Sequence, residues 1–246
     1  RRADRRLRPP GAGGEPADPD PREGPWAYRF LATLVSLLVK PFVRIDARRL
    51  QVAEHHRTAV VVVNHRSFFD AVVGLVVFHG LHRYPRVIVA AHWFEGRVIG
   101  PLLRWAGAIP MDREHAAGHL EAARRVLDAG FPILVTPEGV LSGEPDDPTS
   151  LGPFKTGAVR LAHHCDAGIW PLALVGTDSV WPRDRRFPRF GIKPLRRHHV
   201  LVLGDDHLIP IDGDAAADTE RVRERMVELL HEATELRSAD APAHRW

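Results

Sequence analysis

The chain has 246 residues, 44% of them hydrophobic, with a single cysteine and a formal net charge of +3. That length suits one domain with appendages and suffices for a sizeable core. One cysteine excludes an intrachain disulfide and suits a reducing compartment. No run reaches the roughly 20 apolar residues of a spanning helix, and no apolar stretch near the amino end precedes a small-residue cleavage site.

Residues 1–24 are rich in Arg, Pro and Gly and carry almost nothing to bury, so a disordered basic tail is expected there. Pro25 sits at a first helical position, and Trp26–Val39 is apolar until Pro41 stops it. Its polar members, Arg29, Thr33, Ser36 and Lys40, recur at helical spacing as one narrow stripe. Sixteen residues span about 24 Å, short of the ~30 Å hydrocarbon layer. Residues 25–42 therefore read as a membrane-interacting helix lying in the interface, the other reading being a helix packed on its own domain.

From Val43 apolar runs alternate with helical stretches. Strands are expected at Ala59–Val63, Val87–Ala91, Ala108–Met111, Phe131–Val135, Ile169–Val175 and Val200–Leu203. Helices fall near Ala71–His79, Phe94–Trp105, Ala116–Ala129, Thr156–His164 and Thr219–Leu236. The pattern predicts an α/β domain over 43–237, a central largely parallel sheet flanked by helices, with a tail at 238–246. Such sheets put their chemistry at strand ends, where His65, Arg113 and Glu138 lie.

Within Ala59–Asp70 a strand delivers Asn64 and His65, and a carboxylate follows at Asp70. Histidine takes a proton at neutral pH, and a carboxylate in reach of its ring fixes the tautomer and steadies the imidazolium. His-x-x-x-x-Asp arises about once by chance in a chain of this composition, and His207–Asp212 is a second copy. Further blocks distinguish the first. Gly107–Arg113 is a short strand ending in arginine, Thr136-Pro-Glu-Gly139 with Ser142 and Gly143 ends another, Pro153–Ala158 opens a helix, and Gly168–Ala173 holds a proline inside a strand. In this order they resemble the four motifs of the glycerolipid acyltransferase family typified by 1-acyl-glycerol-3-phosphate acyltransferase, over roughly Val43–Pro210.

The resemblance implies an acyltransferase moving a fatty acyl group from acyl-CoA or acyl-ACP to the free hydroxyl of a lysophospholipid. His65 would act as base, oriented by Asp70. Arg113, Glu138, Gly139 and Lys155 would hold the acceptor and its phosphate, and Pro171 would stand on the acyl-donor side. The family's third motif commonly continues Thr-Arg-Ser where this chain reads Val140-Leu141-Ser142, so one charged phosphate ligand is missing.

Rival chemistry is poorly supported. There is no Gly-x-Ser-x-Gly for an acyl-serine. His115 and His119 have a metal-compatible spacing but no third ligand, so neither metal nor cofactor is expected. Cys165 reads as buried and inert. Trp181–Arg197 mixes cations with aromatics as membrane-interface loops do, and no nucleic-acid fold signature accompanies it. The expected partners are a phospholipid membrane surface at its cytoplasmic face, a lysophospholipid and an acyl thioester. A thioester-independent transacylase and a non-catalytic lipid-binding protein are the alternatives.

Overall fold

The computed structural model describes residues 25–51, 58–112, 116–144, 146–190 and 198–240. The basic amino-terminal tail and the last six residues fall outside that set. Seven strands form one sheet: β1 (Val43–Arg48), β2 (Val60–Val63), β3 (Arg86–Ala90), β4 (Ile109–Met111), β5 (Ile133–Val135), β6 (Ile169–Val175) and β7 (His198–Gly204). Their order is β1-β7-β6-β2-β5-β3-β4. Strands β6, β2, β5, β3 and β4 are mutually parallel, while β7 runs antiparallel to β6 and carries β1 parallel to itself. The expected largely parallel α/β sheet is present.

Burial follows composition. Strand β2 is four valines, all buried, and every residue of β6 is buried, as strands covered on both faces require. The edge strand β1, Val-Arg-Ile-Asp-Ala-Arg, alternates and is only half covered. No apolar run marks it in the sequence, because only every second residue is apolar.

The helices are α1 (Pro25–Val39), α2 (Phe69–Gly80), α3 (Ile99–Trp105), α4 (Ala116–Asp128), α5 (Gly157–His164), the single-turn α6 (Thr177–Val180) and α7 (Ala215–Ala239). A 3₁₀ turn, Ala91–Glu95, precedes α3. The helix expected over Phe94–Trp105 is thus broken near Gly96. One core joins α4, α5 and α7 to one sheet face, with Ile133, Leu161, Leu201, Met226 and Leu229 fully buried. A second core beneath α1 and α2 centres on Phe69, Phe78, Trp170, Leu172 and Leu174. Helix α7 is longer than its apolar stripe because Asp214 caps it, accepting from the N–H groups of Ala216 and Ala217.

Helix α1 packs on α2 through Tyr28, Ala32 and Val39 and leaves Trp26, Phe30, Leu34, Leu37 and Leu38 exposed. The expected polar stripe is split. Arg29, Thr33 and Lys40 reach solvent, but Ser36 is buried beside Val76, Val77 and Gly80, where a small side chain lets the helices approach. No helix among the described residues is long and apolar enough to cross a membrane.

Candidate active site

Strand β2 ends in a turn clamped on both sides. The fully buried Asn64 donates from Nδ2 to the Leu174 carbonyl at 2.9 Å and accepts the Leu174 N–H on Oδ1 at 2.7 Å. This reciprocal pair ties the end of β2 to β6. The next residue, His65, places Nδ1 2.9 Å from Asp70 Oδ2. The same oxygen accepts the backbone N–H of Arg66 at 2.8 Å and of Ser67 at 2.9 Å. Asp70 therefore both shapes the turn that opens α2 and faces the ring. The His65 side chain is 25% exposed. With Nδ1–H given to Asp70, Nε2 is left to accept a proton.

Glu138, at the end of β5, is buried and points back at the same turn. Its Oε2 accepts the His65 N–H at 3.3 Å and the Ser142 hydroxyl. Its other oxygen, Oε1, is buried without a hydrogen-bond partner in the structure. Burial pushes the Glu138 carboxyl above its ordinary value, and the Ser142 and His65 hydrogen bonds offset this only in part. Gly139 follows with φ +70°, and a side chain there would meet Lys155 Nζ at 2.5 Å. Lys155 is held from below by its own N–H, bonded to the Pro137 carbonyl at 2.9 Å. The structure thus brings His65, Asp70, Glu138, Gly139 and Lys155 together.

Sequence reasoning missed the role of Arg66. This guanidinium is 3% exposed and donates to the carbonyls of Glu144 at 2.7 Å and Ser150 at 3.1 Å. It also reaches Asp178 at 3.4 Å. It binds the loop after Glu138 to the His65 turn. On the other side Ser67 Oγ donates to the Trp181 carbonyl at 2.7 Å, and Arg183 Nε donates to the Arg66 carbonyl at 3.1 Å. No local signal in the sequence marks Arg66, because the carbonyls it binds lie 78 and 84 positions away.

Pro171 is not at a sheet edge, since β6 lies between β7 and β2. Its carbonyl accepts the Asp205 N–H at 3.1 Å. The β7 ladder stops at Leu172–Gly204 and resumes only as the bridge Ile169–Ile209. The missing N–H of Pro171 therefore faces an interruption, the bulge that a central proline needs. Arg113, His115 and residues 191–197 lie outside the described residues. Val140 is exposed beside Gly139.

The second His-x-x-x-x-Asp does not pair. Asp212 is taken by Arg221 at 2.7 Å, and the His207 N–H bonds Asp205 at 3.4 Å. Cys165 is half-buried and its thiol is pushed up by that burial. Asp46, His199 and Asp240 converge closely enough to hold a cation, but Arg48 already binds both carboxylates.

A histidine so oriented can take a proton from a hydroxyl as that oxygen attacks a carbonyl carbon. Known proteins show related chains. A family model described as Acyltransferase matches residues 44–175. A probable 1-acyl-sn-glycerol-3-phosphate acyltransferase of Mycoplasma genitalium is 27% identical over 161 residues, covering 63% of this chain and 58% of that protein. A chloroplastic 1-acyl-sn-glycerol-3-phosphate acyltransferase of Brassica napus is 28% identical over 160 residues, covering 63% of this chain and 44% of its own length. The chain thus spans about half the length of these curated relatives. The crystal structure of the 1-acyl-sn-glycerophosphate acyltransferase PlsC from Thermotoga maritima superposes with a TM-score of 0.61 at 19% identity, over 92% of this chain and 85% of that one. That similarity shows the fold.

Proposed function

Because this chain belongs to the Acyltransferase family, we propose that it transfers a fatty acyl group from a thioester to the hydroxyl of a lysophospholipid such as 1-acyl-glycerol-3-phosphate. The observation that carries the reading is the 2.9 Å His65–Asp70 pair, set at the strand end where the sheet opens. The acceptor oxygen attacks the thioester carbonyl carbon while its proton passes to His65 Nε2. Asp70 steadies the resulting imidazolium. The tetrahedral intermediate collapses with cleavage of the C–S bond, and the imidazolium returns the proton to the departing thiolate. General-base assistance of this kind contributes typically 10²–10⁴ in rate.

Lys155 and Arg113 supply charge for the acceptor's phosphate, and Gly139 lets backbone approach it closely. Glu138 acts through His65, whose backbone N–H it holds. The donor is acyl-CoA or acyl-ACP, with Pro171 on its side of the site. The exposed apolar face of α1 anchors the protein at a membrane surface.

The test is one labelled acyl-CoA offered with a panel of lysolipids, the products read by mass spectrometry. Acyl transfer to a lysophospholipid hydroxyl with release of thiol is expected. Equal product without thioester would instead indicate transfer between phospholipids, and no product with either donor would overturn the reading.

A further inference from the structure

The segment between β3 and β4 reads in sequence as a helix near Phe94–Trp105, and much of it faces outward. Trp93, Val98, Ile99, Leu102 and Trp105 are all exposed, Val98 at 80%. One face of α3 does pack, through Gly100, where a side chain would sit 2.2 Å from the Phe94 carbonyl oxygen. The outer face has no covering element among the described residues.

Three observations say what covers it. First, the surface is continuous with that of α1. Trp105 at the end of α3 meets Trp26 at the start of α1 edge-to-face, with ring centroids 6.4 Å apart. Right-handed crossovers from β2 to β3 and from β3 to β4 place α2 and α3 on one face of the sheet, the face that α1 also covers. Second, the charge around it is basic. Arg29 and Arg97 are exposed and pair with no carboxylate among the described residues, while Arg104 is turned back onto the Phe94 carbonyl at 2.9 Å. Glu95 is the one acidic residue between Ala91 and Trp105. Third, the 3₁₀ turn that begins the segment leaves the carboxyl end of β3, the sheet edge at which β2 and β5 present His65 and Glu138.

We propose that Trp93–Trp105 is a second membrane-seating element, which meets α1 at the Trp26–Trp105 contact and completes one apolar face that docks on an anionic phospholipid bilayer. The proposal rests on the lipid-directed reading above. Two apolar segments that meet at the Trp26–Trp105 contact fix the orientation of the protein on the bilayer, which one helix, free to roll about its axis, does not. They hold the sheet edge bearing His65 at the lipid boundary, where an acceptor arrives by lateral diffusion. Aromatic rings and Arg at such a boundary suit the headgroup layer.

The experiment measures binding of the full chain to phosphatidylcholine vesicles with and without phosphatidylglycerol. Tighter binding to the anionic vesicles is expected. The double variant Val98→Asp/Leu102→Asp should bind them at least about tenfold more weakly, since each removed side chain contributes roughly that factor when buried. Its thermal melt should match the wild type. Unchanged vesicle affinity would overturn the proposal.

Should the double variant melt early, an environment-sensitive dye on Val98→Cys, in a Cys165→Ser background, gives an independent reading. A blue shift on adding vesicles is expected. Unshifted emission from protein that pellets with vesicles would overturn the proposal. So would a shift driven by protein concentration alone, which would mean that a second copy covers this face. Vesicle binding is read without turnover, so a failure to dock and a failure to transfer acyl groups are separately visible.

Discussion

The Ser142 backbone N–H donates to the His65 carbonyl at 2.8 Å, although the two residues come from different loops of the sheet edge. With the Ser142 hydroxyl also on Glu138, the strand end that carries the base and the strand end that carries the buried carboxylate form one hydrogen-bonded unit. Substitutions on either strand should therefore register at the other.

His65→Ala should abolish acyl transfer while leaving the fold intact, because the ring is partly exposed and Asp70 keeps its two backbone donors. Asp70→Asn retains an oxygen for those donors but loses the charge that steadies the imidazolium. It should cost about 10²–10⁴ in kcat with little change in KM. Steady-state kinetics check both, and near wild-type turnover in His65→Ala would rule out the base assigned here.

Gly143 has φ +84°, and a side chain there would stand 2.2 Å from Arg66 Nη1 and 2.6 Å from the Ser150 carbonyl. Gly143→Ala should therefore destabilise the protein by about 1–3 kcal/mol, the usual cost of backbone strain. Arg66→Ala, which leaves the Glu144 and Ser150 carbonyls without their donor, should cost a similar ~1–3 kcal/mol. Denaturant unfolding measures both. Wild-type midpoints would mean that this loop is not held as described.

Burial raises the Glu138 carboxyl above its ordinary value of 4.5, so the folded state binds that proton more tightly than the unfolded chain. Stability from this group is present below pH 4.5 and is lost as pH rises through the raised value. Glu138→Gln keeps a carbonyl oxygen for the His65 and Ser142 donors but cannot ionise. Its unfolding midpoint should fall less than that of the wild type as pH climbs from about 4.5 toward neutrality. Parallel pH profiles for the two proteins would contradict this.

Val140-Leu141 stands where the family motif that this sequence resembles commonly reads Thr-Arg. A charge-assisted bond to phosphate is worth roughly 1.5–3 kcal/mol, about ten- to hundredfold in affinity. Leu141→Arg should accordingly improve use of lysophosphatidate relative to lysolipids with larger head groups. Competition between the two acceptor classes for one acyl thioester reads the ratio. An unchanged ratio would mean that Lys155 and Arg113 suffice for the phosphate.

The parts of the site that were legible in sequence are those contained in one short run. His65 and Asp70 lie five residues apart, and the strand that leads into them is a plain row of valines. Glu138 and Gly139 could be placed because they end another apolar run. The links that lock these pieces together were not legible. Asn64 meets Leu174 across 110 positions and Arg66 meets Ser150 across 84. Nothing local in the chain marks either residue as a clamp. Strand β1 escaped because alternating residues imitate a surface loop. The outward face of α3 escaped for the opposite reason, since an apolar helix facing lipid and one facing a core have the same composition.

The two-way bond between Asn64 and Leu174 also determines which part of the site is able to move. It joins the base-bearing turn to β6, and Ser67 and Arg183 extend that join to the segment after β6. These pieces form a fixed jaw. The opposing wall, residues 139–144 and 146–152, is joined to that turn by the Arg66 guanidinium on the Glu144 and Ser150 carbonyls and by the Ser142 N–H on the His65 carbonyl. The loosest attachments of the site therefore lie on that wall. Its amide protons should exchange with solvent well before those of Asn64 and Leu174.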